Sequence, residues 1–257
     1  LREDALELAL PTDVRSAVID KGGKIYQVGG AVRDDMLGKV SKDLDLLVVG
    51  LELKDLSTLL TRFGKTNLVG KAFGIIKFVP DGATEEIDIS VPRIDSKSTG
   101  KGHKDFEVKL GKGITLQQDQ LRRDFWMNAM ARDVETGEIH DIDKKGQTDI
   151  ENKQIRVIGS QAFKEDPLRM LRAVQFAARF DFTIETETMK QIKKNVNLIK
   201  TVSAERFQEE FKKMFEKGTP SVGVDLLQQT GILKKLFPRA RDTFSVEYDK
   251  LDKKGFP

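Results

Sequence analysis

Two aspartates one residue apart, Asp43 and Asp45, follow a Gly29-Gly30 turn within the run Val28 to Val49. Residues 44–49 read as a buried strand, and residues i and i+2 of a strand point to one face. The two carboxylates therefore aim at one point, where like charges repel unless a cation lies between them. Hard divalent cations such as Mg²⁺ take oxygen ligands of this kind, completed by water and phosphate. The chemistry expected is two-metal phosphoryl transfer: activation of a 3′-hydroxyl on one side, and neutralisation of a triphosphate and its departing pyrophosphate on the other. Asp43 and Asp45 are the candidate catalytic and metal-binding residues. A third carboxylate usually helps such a site. Glu86 and Asp88 alternate on one face of the next acidic strand, and one or both complete the pair unless they are simply solvent-facing strand acids. Glu86 is carried as the third catalytic candidate.

Three further blocks bear on a nucleotide. Gly29 and Gly30 end a strand and enter a helix, which leaves backbone N–H groups open to a phosphate, and Arg33 adds a guanidinium fork to the same oxygens. In Arg122-Arg123-Asp124-Phe125-Trp126-Met127-Asn128, the expected helix places Asn128 one turn past Asp124. Arg123 suits triphosphate or ribose oxygens and Asn128 a sugar hydroxyl, while Phe125, Trp126 and Met130 read as packing residues. In Glu165-Asp166-Pro167-Leu168-Arg169, Asp166, Arg169 and Arg172 recur every three residues. An aspartate accepts from an exocyclic amino group and an arginine donates to a ring nitrogen or carbonyl, the pattern shared by cytosine and adenine. An i, i+3 ion pair between Asp166 and Arg169 has the same spacing.

The elements that must position these groups are legible as periodicities. Strands are expected at 24–28, 44–49, 75–79 and 86–90, the last two around the hairpin signal Pro80-Asp81-Gly82. Helices are expected at 31–37, closed by Gly38, at 53–63 and at 115–132, with a short strand at 139–142. Residues 95–115, rich in glycine and lysine, read as a surface loop. From Phe163 onward strand signals vanish, and helices are expected at 163–180, 186–196, 204–217 and 221–229. Ser203 and Ser221 read as N-caps and Gly218 and Gly231 as stops.

The chain of 257 residues is 39% apolar and 33% charged, with a formal charge of +3, no cysteine and two histidines. Disulfides and thiolate metal sites are excluded. No apolar run approaches the ~20 residues that cross a bilayer, and the first residues lack signal-peptide organisation. A cytoplasmic location and no membrane partner are the expectation.

Taken as an ordered set, these blocks resemble the class II tRNA nucleotidyltransferase (CCA-adding) and bacterial poly(A) polymerase family, within the DNA polymerase β-like nucleotidyltransferases. Gly29 to Asp34 and Asp43-x-Asp45 match its catalytic motif. Arg122 to Ala129 match its ribose-selecting region, and Glu165 to Arg169 match its protein template. Gly102 to Val108 resemble its flexible loop, and Ala204 to Lys212 the helix that props its neck. The resemblance implies an α+β fold: a mixed-sheet nucleotidyltransferase head (1–158), a helical neck with the nucleotide-selecting helix (159–217), and a short helical body or truncated tail (218–257). It implies template-independent addition of CMP and AMP to the 3′ end of tRNA, with Mg²⁺ as cofactor and CTP, ATP and tRNA as partners. It assigns metal to Asp43 and Asp45. Nucleotide contacts fall to Gly29, Gly30, Arg33, Arg123, Asp124, Asn128, Asp166, Arg169 and Arg172. The alternatives within the class are CC addition, A addition and poly(A) synthesis; outside it, an inactive nucleotide- or RNA-binding protein on the same fold. Few residues follow Gly218, so the expectation is a minimal enzyme, a shortened chain, or one completed by a partner such as a second copy.

Overall fold

A computed structural model describes residues 10–39, 44–69, 74–95 and 108–237. Asp43, the loop motif between Gly102 and Glu107, and the tail beyond 237 lie outside the described residues. The chain divides into two units, Leu1–Asn152 and Lys153–Pro257.

The first unit is built on a seven-stranded mixed sheet in the order β3-β4-β5-β2-β1-β8-β9. Its strands are β1 Lys24–Val28, β2 Asp45–Val49, β3 Gly64–Val69, β4 Ile75–Pro80, β5 Ile87–Ser90, β8 Ala131–Asp133 and β9 Ile139–His140. Two short strands, β6 Arg93–Asp95 and β7 Val108–Leu110, form a separate antiparallel pair. The latter begins inside the stretch expected to be loop. β4 and β5 are antiparallel around Pro80-Asp81-Gly82, as the turn chemistry requires, whereas β2 and β5 run parallel.

Alternation along the strands sorts the two faces of this sheet. Leu46 and Val48 of β2, Ile76 and Phe78 of β4 and Ile87 and Ile89 of β5 point one way, into a core with Val14 and Val18 of helix Thr12–Asp20 and Leu56, Leu59 and Leu60 of helix Leu53–Leu60. Phe78 is fully buried there, and its truncation to alanine is expected to cost about 3–5 kcal/mol. The intervening residues Asp45, Lys77, Asp88 and Ser90 fall on the opposite face. The helices that supply the core thus leave the acidic face open for chemistry.

The helix expected over 115–132 is short. It runs from Leu116 to Leu121, starts with a Thr115–Gln118 capping box, and gives way to a 3₁₀ turn at Trp126–Asn128 and then to β8. Pairing of Ala131 with Val28 on β1 takes the backbone hydrogen bonds that a longer helix would have used.

The second unit centres on helix Leu168–Phe180, which packs against helices Ala204–Lys217 and Pro220–Thr230. Leu168, Leu171 and Val174 are buried along it. The single helix expected over 163–180 is broken. Ala162–Glu165 forms one turn, Asp166 is extended (φ −139°, ψ 99°), and the long helix starts after Pro167. A residue before proline is disfavoured in the helical region, which explains the break. Strand structure does recur past Phe163: β11 Thr183–Ile184 pairs in parallel with β10 Gln154–Ile155. That pairing ties residues after Asn152 to the helical unit, so the division falls a few residues before the expected boundary. Gly218 and Gly231 cap helices as expected, but Thr219, not Ser221, precedes the helix that starts at Pro220.

Candidate active site

On the open face of the sheet, Asp45, Asp88, Ser90, Arg93, Arg122 and Arg123 line a cleft floored by Val28. Asp45 and Asp88 are Cα partners on the parallel strands β2 and β5. Their side chains therefore project from neighbouring positions on one face, an arrangement that suits oxygen-seeking divalent cations. Asp88 also pairs with Lys77 at 3.3 Å. Glu86 lies just outside β5, bonded to Lys77 at 2.5 Å, and is not among the residues of the cleft wall. Of the two acids singled out on this strand, the structure brings Asp88 to Asp45. Glu86 instead serves Lys77, whose pKa is raised by its hydrogen bonds to Glu86 and Asp88. Among the described residues no group of three or more His, Cys, Asp or Glu forms a metal cluster. The second aspartate of the sequence pair, Asp43, lies outside them.

The glycine turn meets this acid directly. Gly29 has φ +75°, a conformation side chains rarely adopt. A Cβ built on it would lie 3.3 Å from Asp45 Oδ2 and 3.8 Å from Arg123 Nη1. The bend, the carboxylate and the guanidinium thus converge on one spot, which a side chain at position 29 would crowd. At Gly30 a Cβ would lie 3.0 Å from Arg33 Nη2.

Arg33 itself is placed under the turn rather than on the cleft wall. It is 4% exposed. Its Nε and Nη2 donate to Asp34 Oδ1 at 2.8 and 2.7 Å, and its Nη1 donates to Asn128 Oδ1. Asn128 Nδ2 in turn donates to Asp124 Oδ1 at 3.0 Å, which also accepts from the Phe125 backbone N–H at 2.8 Å. Arg33, Asp124 and Asn128, all named as nucleotide contacts from sequence, form one chain of bonds, buried at Arg33 and Asn128, that joins the glycine turn to the 3₁₀ turn. Arg123, also named from sequence, does line the cleft.

Within the helical unit, Asp166 Oδ1 accepts from the Leu168 backbone N–H at 3.1 Å, and Oδ2 accepts from Arg206 Nη2 at 2.7 Å. Arg169 pairs with Glu165 at 3.5 Å, the neighbour one turn back. Arg172 pairs with Glu210 at 3.4 Å and stacks over Phe176 at 5.2 Å. Sequence reasoning missed Arg206 and Glu210 as partners because both come from a helix some 40 positions further along the chain. It also missed Asp119, a buried acid behind Arg122 and Arg123. Its signal was arginine at both i+3 and i+4 from an aspartate.

The family described as "Poly A polymerase head domain" matches residues 25–156, and "Probable RNA and SrmB- binding site of polymerase A" matches residues 181–243. The Multifunctional CCA protein of Shewanella denitrificans is 40% identical over 229 residues, spanning 87% of this chain and 52% of that protein. The CCA-adding enzyme of Pseudomonas entomophila is 36% identical over 230 residues, 87% of this chain and 58% of that protein. The CCA-adding enzyme of Bacillus stearothermophilus, solved with CTP, superposes with a TM-score of 0.75 at 30% identity, covering 88% of this chain and 52% of that one. That of Thermotoga maritima, solved with tRNA, gives 0.71 at 28% identity, covering 91% and 54%. The chain thus spans about half the length of the curated relatives it matches. The head-domain model spans more than half of the chain, including the mixed sheet and the glycine bend, and the chain belongs to the poly A polymerase head domain family.

Proposed function

We propose that this chain is a tRNA nucleotidyltransferase that adds CMP and AMP to the 3′ end of tRNA and releases pyrophosphate. The observation that carries the reading is the convergence of Gly29, Asp45 and Arg123 on one spot of a cleft that also holds Asp88. Relatives named for CCA addition, and solved structures of such enzymes with CTP, with ATP and with tRNA, support the choice of substrates.

The residues fit Mg²⁺: Asp45 and Asp88 offer carboxylate oxygens from neighbouring positions, and Asp43 is the further ligand expected from sequence. When bound, the cation supplies charge neutralisation for the triphosphate and a lowered pKa for the attacking hydroxyl. The chain's own residues do the positioning. The backbone of the Gly29–Gly30 bend receives the triphosphate, and Arg123 and Arg122 offer N–H groups to its anionic oxygens. The bonded chain Arg33–Asn128–Asp124 keeps that bend in register. The tRNA 3′-hydroxyl attacks the α-phosphorus, the bond to the bridging oxygen breaks, and pyrophosphate leaves with the electron pair. Such transfer is mostly positioning and charge stabilisation. Base choice is assigned to Asp166 and Arg169, whose acceptor and donor suit the amino edge of cytosine and adenine.

The test is to offer the chain a tRNA ending before CCA with CTP alone, ATP alone and both. CCA addition predicts two added residues with CTP and three with both. A single added A on a CC-ended tRNA only, or a long tail, would assign the narrower or polymerising activity. No extension under any condition would refute the reading.

A further inference from the structure

Asp119 sits in the polar run Gln117-Gln118-Asp119-Gln120, yet it is fully buried. It lies behind the cleft wall and holds three residues that form it. Its Oδ1 accepts from Arg122 Nε at 2.9 Å, from Arg122 Nη2 at 2.7 Å and from the Arg93 backbone N–H at 3.2 Å. Its Oδ2 accepts from Arg123 Nη2 at 3.0 Å and Nε at 3.3 Å. Burial pushes this carboxyl up, but the charges of Arg123 and Arg122, with the Arg122 and Arg93 hydrogen bonds, outweigh it and hold the group below its ordinary value. The acid is therefore ionised at neutral pH. Its bonds take the Nε/Nη2 edge of Arg123, and Nη1 of the same guanidinium is the atom beside Gly29, on the side of Asp45.

We propose that Asp119 is a positioning residue for nucleotide binding: it pins Arg122 and Arg123 so that their outer N–H groups meet the anionic oxygens of a nucleoside triphosphate, without touching the nucleotide itself. The inference rests on reading this cleft as the nucleotide site. An asparagine at 119 keeps the volume but offers one acceptor oxygen to two guanidinium forks. Both arginines then lose their charged partner and one loses its acceptor as well, so the nucleotide must order them instead, which weakens binding.

The experiment measures CTP binding to the full chain by equilibrium dialysis with Mg²⁺, tRNA binding by filter retention, and thermal melting. Asp119→Asn is expected to raise the Kd for CTP about tenfold or more, with tRNA affinity unchanged within about twofold. Asp119→Glu, which restores the charge, is expected to recover part of that loss. Wild-type CTP affinity in Asp119→Asn would overturn the proposal. If Asp119→Asn does not fold, the decision passes to Asp119→Glu with and without Arg122→Gln and Arg123→Gln. A CTP-binding loss that disappears in the arginine-free background supports action through those arginines, and one that persists overturns it. No loss at all in Asp119→Glu overturns it as well. A wild-type chain that binds no CTP would sink the reading of the cleft and this inference together, whereas normal wild-type binding matched by the variants would sink only the role of Asp119.

Discussion

Arg123 in the head cleft and the pair Asp166 and Arg169 in the helical unit are held in opposite ways. Arg123, 16% exposed, is fixed by an aspartate whose side chain is 1% exposed. Asp166 is held by Arg206, whose side chain is 53% exposed, and Arg169 by Glu165 at 52%. A buried ionic partner cannot be released without stranding a charge, whereas exposed pairs contribute little and exchange readily. The comparison teaches a division of labour. The groups proposed to meet phosphate, alike in every nucleotide, are locked in place. The groups proposed to meet the base keep partners that a base edge can replace.

That contrast can be broken at either end. The largest effect is expected at Asp45. Asp45→Asn removes a carboxylate beside Gly29 and should lower the single-turnover rate on the order of 10³-fold, about 4 kcal/mol in the barrier, while melting and tRNA binding stay near wild type. Gly29→Ala should follow. Its φ of +75° costs an alanine about 1–3 kcal/mol, and the new Cβ crowds Asp45, so both melting temperature and incorporation should fall. Asp166→Ala should act on selectivity instead. The preference for CTP and ATP over UTP and GTP is expected to shrink by roughly tenfold, about the value of one good base contact, with tRNA binding unchanged; unaltered discrimination would remove Asp166 from base choice. Glu86→Gln should matter least, within about twofold in rate, because Glu86 pairs with Lys77 and does not line the cleft; a loss matching that of Asp45→Asn would restore Glu86 as the third acid.

Acid sensitivity tests the buried anchor as well. The folded pKa of Asp119 is depressed, so its contribution to stability is complete above the unfolded value of about 3.9 and is lost as pH falls through the lower folded value. Asp119→Asn should flatten that acid limb in a series of melts from pH 6 to about pH 2. An acid limb unchanged by the substitution would contradict a charged buried anchor.

Much of this arrangement was legible in the residues. The apolar run over 44–49 and the Pro80-Asp81-Gly82 signal announced strands β2, β4 and β5, and with them the acidic face. The edge strand β3 carries no such signal. It is largely exposed and polar, and its order comes from the ladder with β4. The helix expected over 115–132 failed where tertiary pairing of β8 with β1 overrode local propensity. Arg33 was recognised as part of the site, but a sequence pattern cannot say on which side of a glycine turn a guanidinium lies; Asp34 and Asn128 drew it beneath. The polar run Gln117 to Gln120 does not show that Asp119 is buried, since burial is a property of the fold.

A divalent cation and a triphosphate are proposed to meet at Asp45 beside the glycine bend. A crystal structure of the chain with CTP and Mn²⁺, read by its anomalous signal, addresses this most directly. The account predicts a metal peak about 2.1 Å from an Asp45 carboxylate oxygen, with the triphosphate lying across Gly29 and Gly30 and touching Arg123. Metal and nucleotide bound together anywhere else on the chain would contradict it.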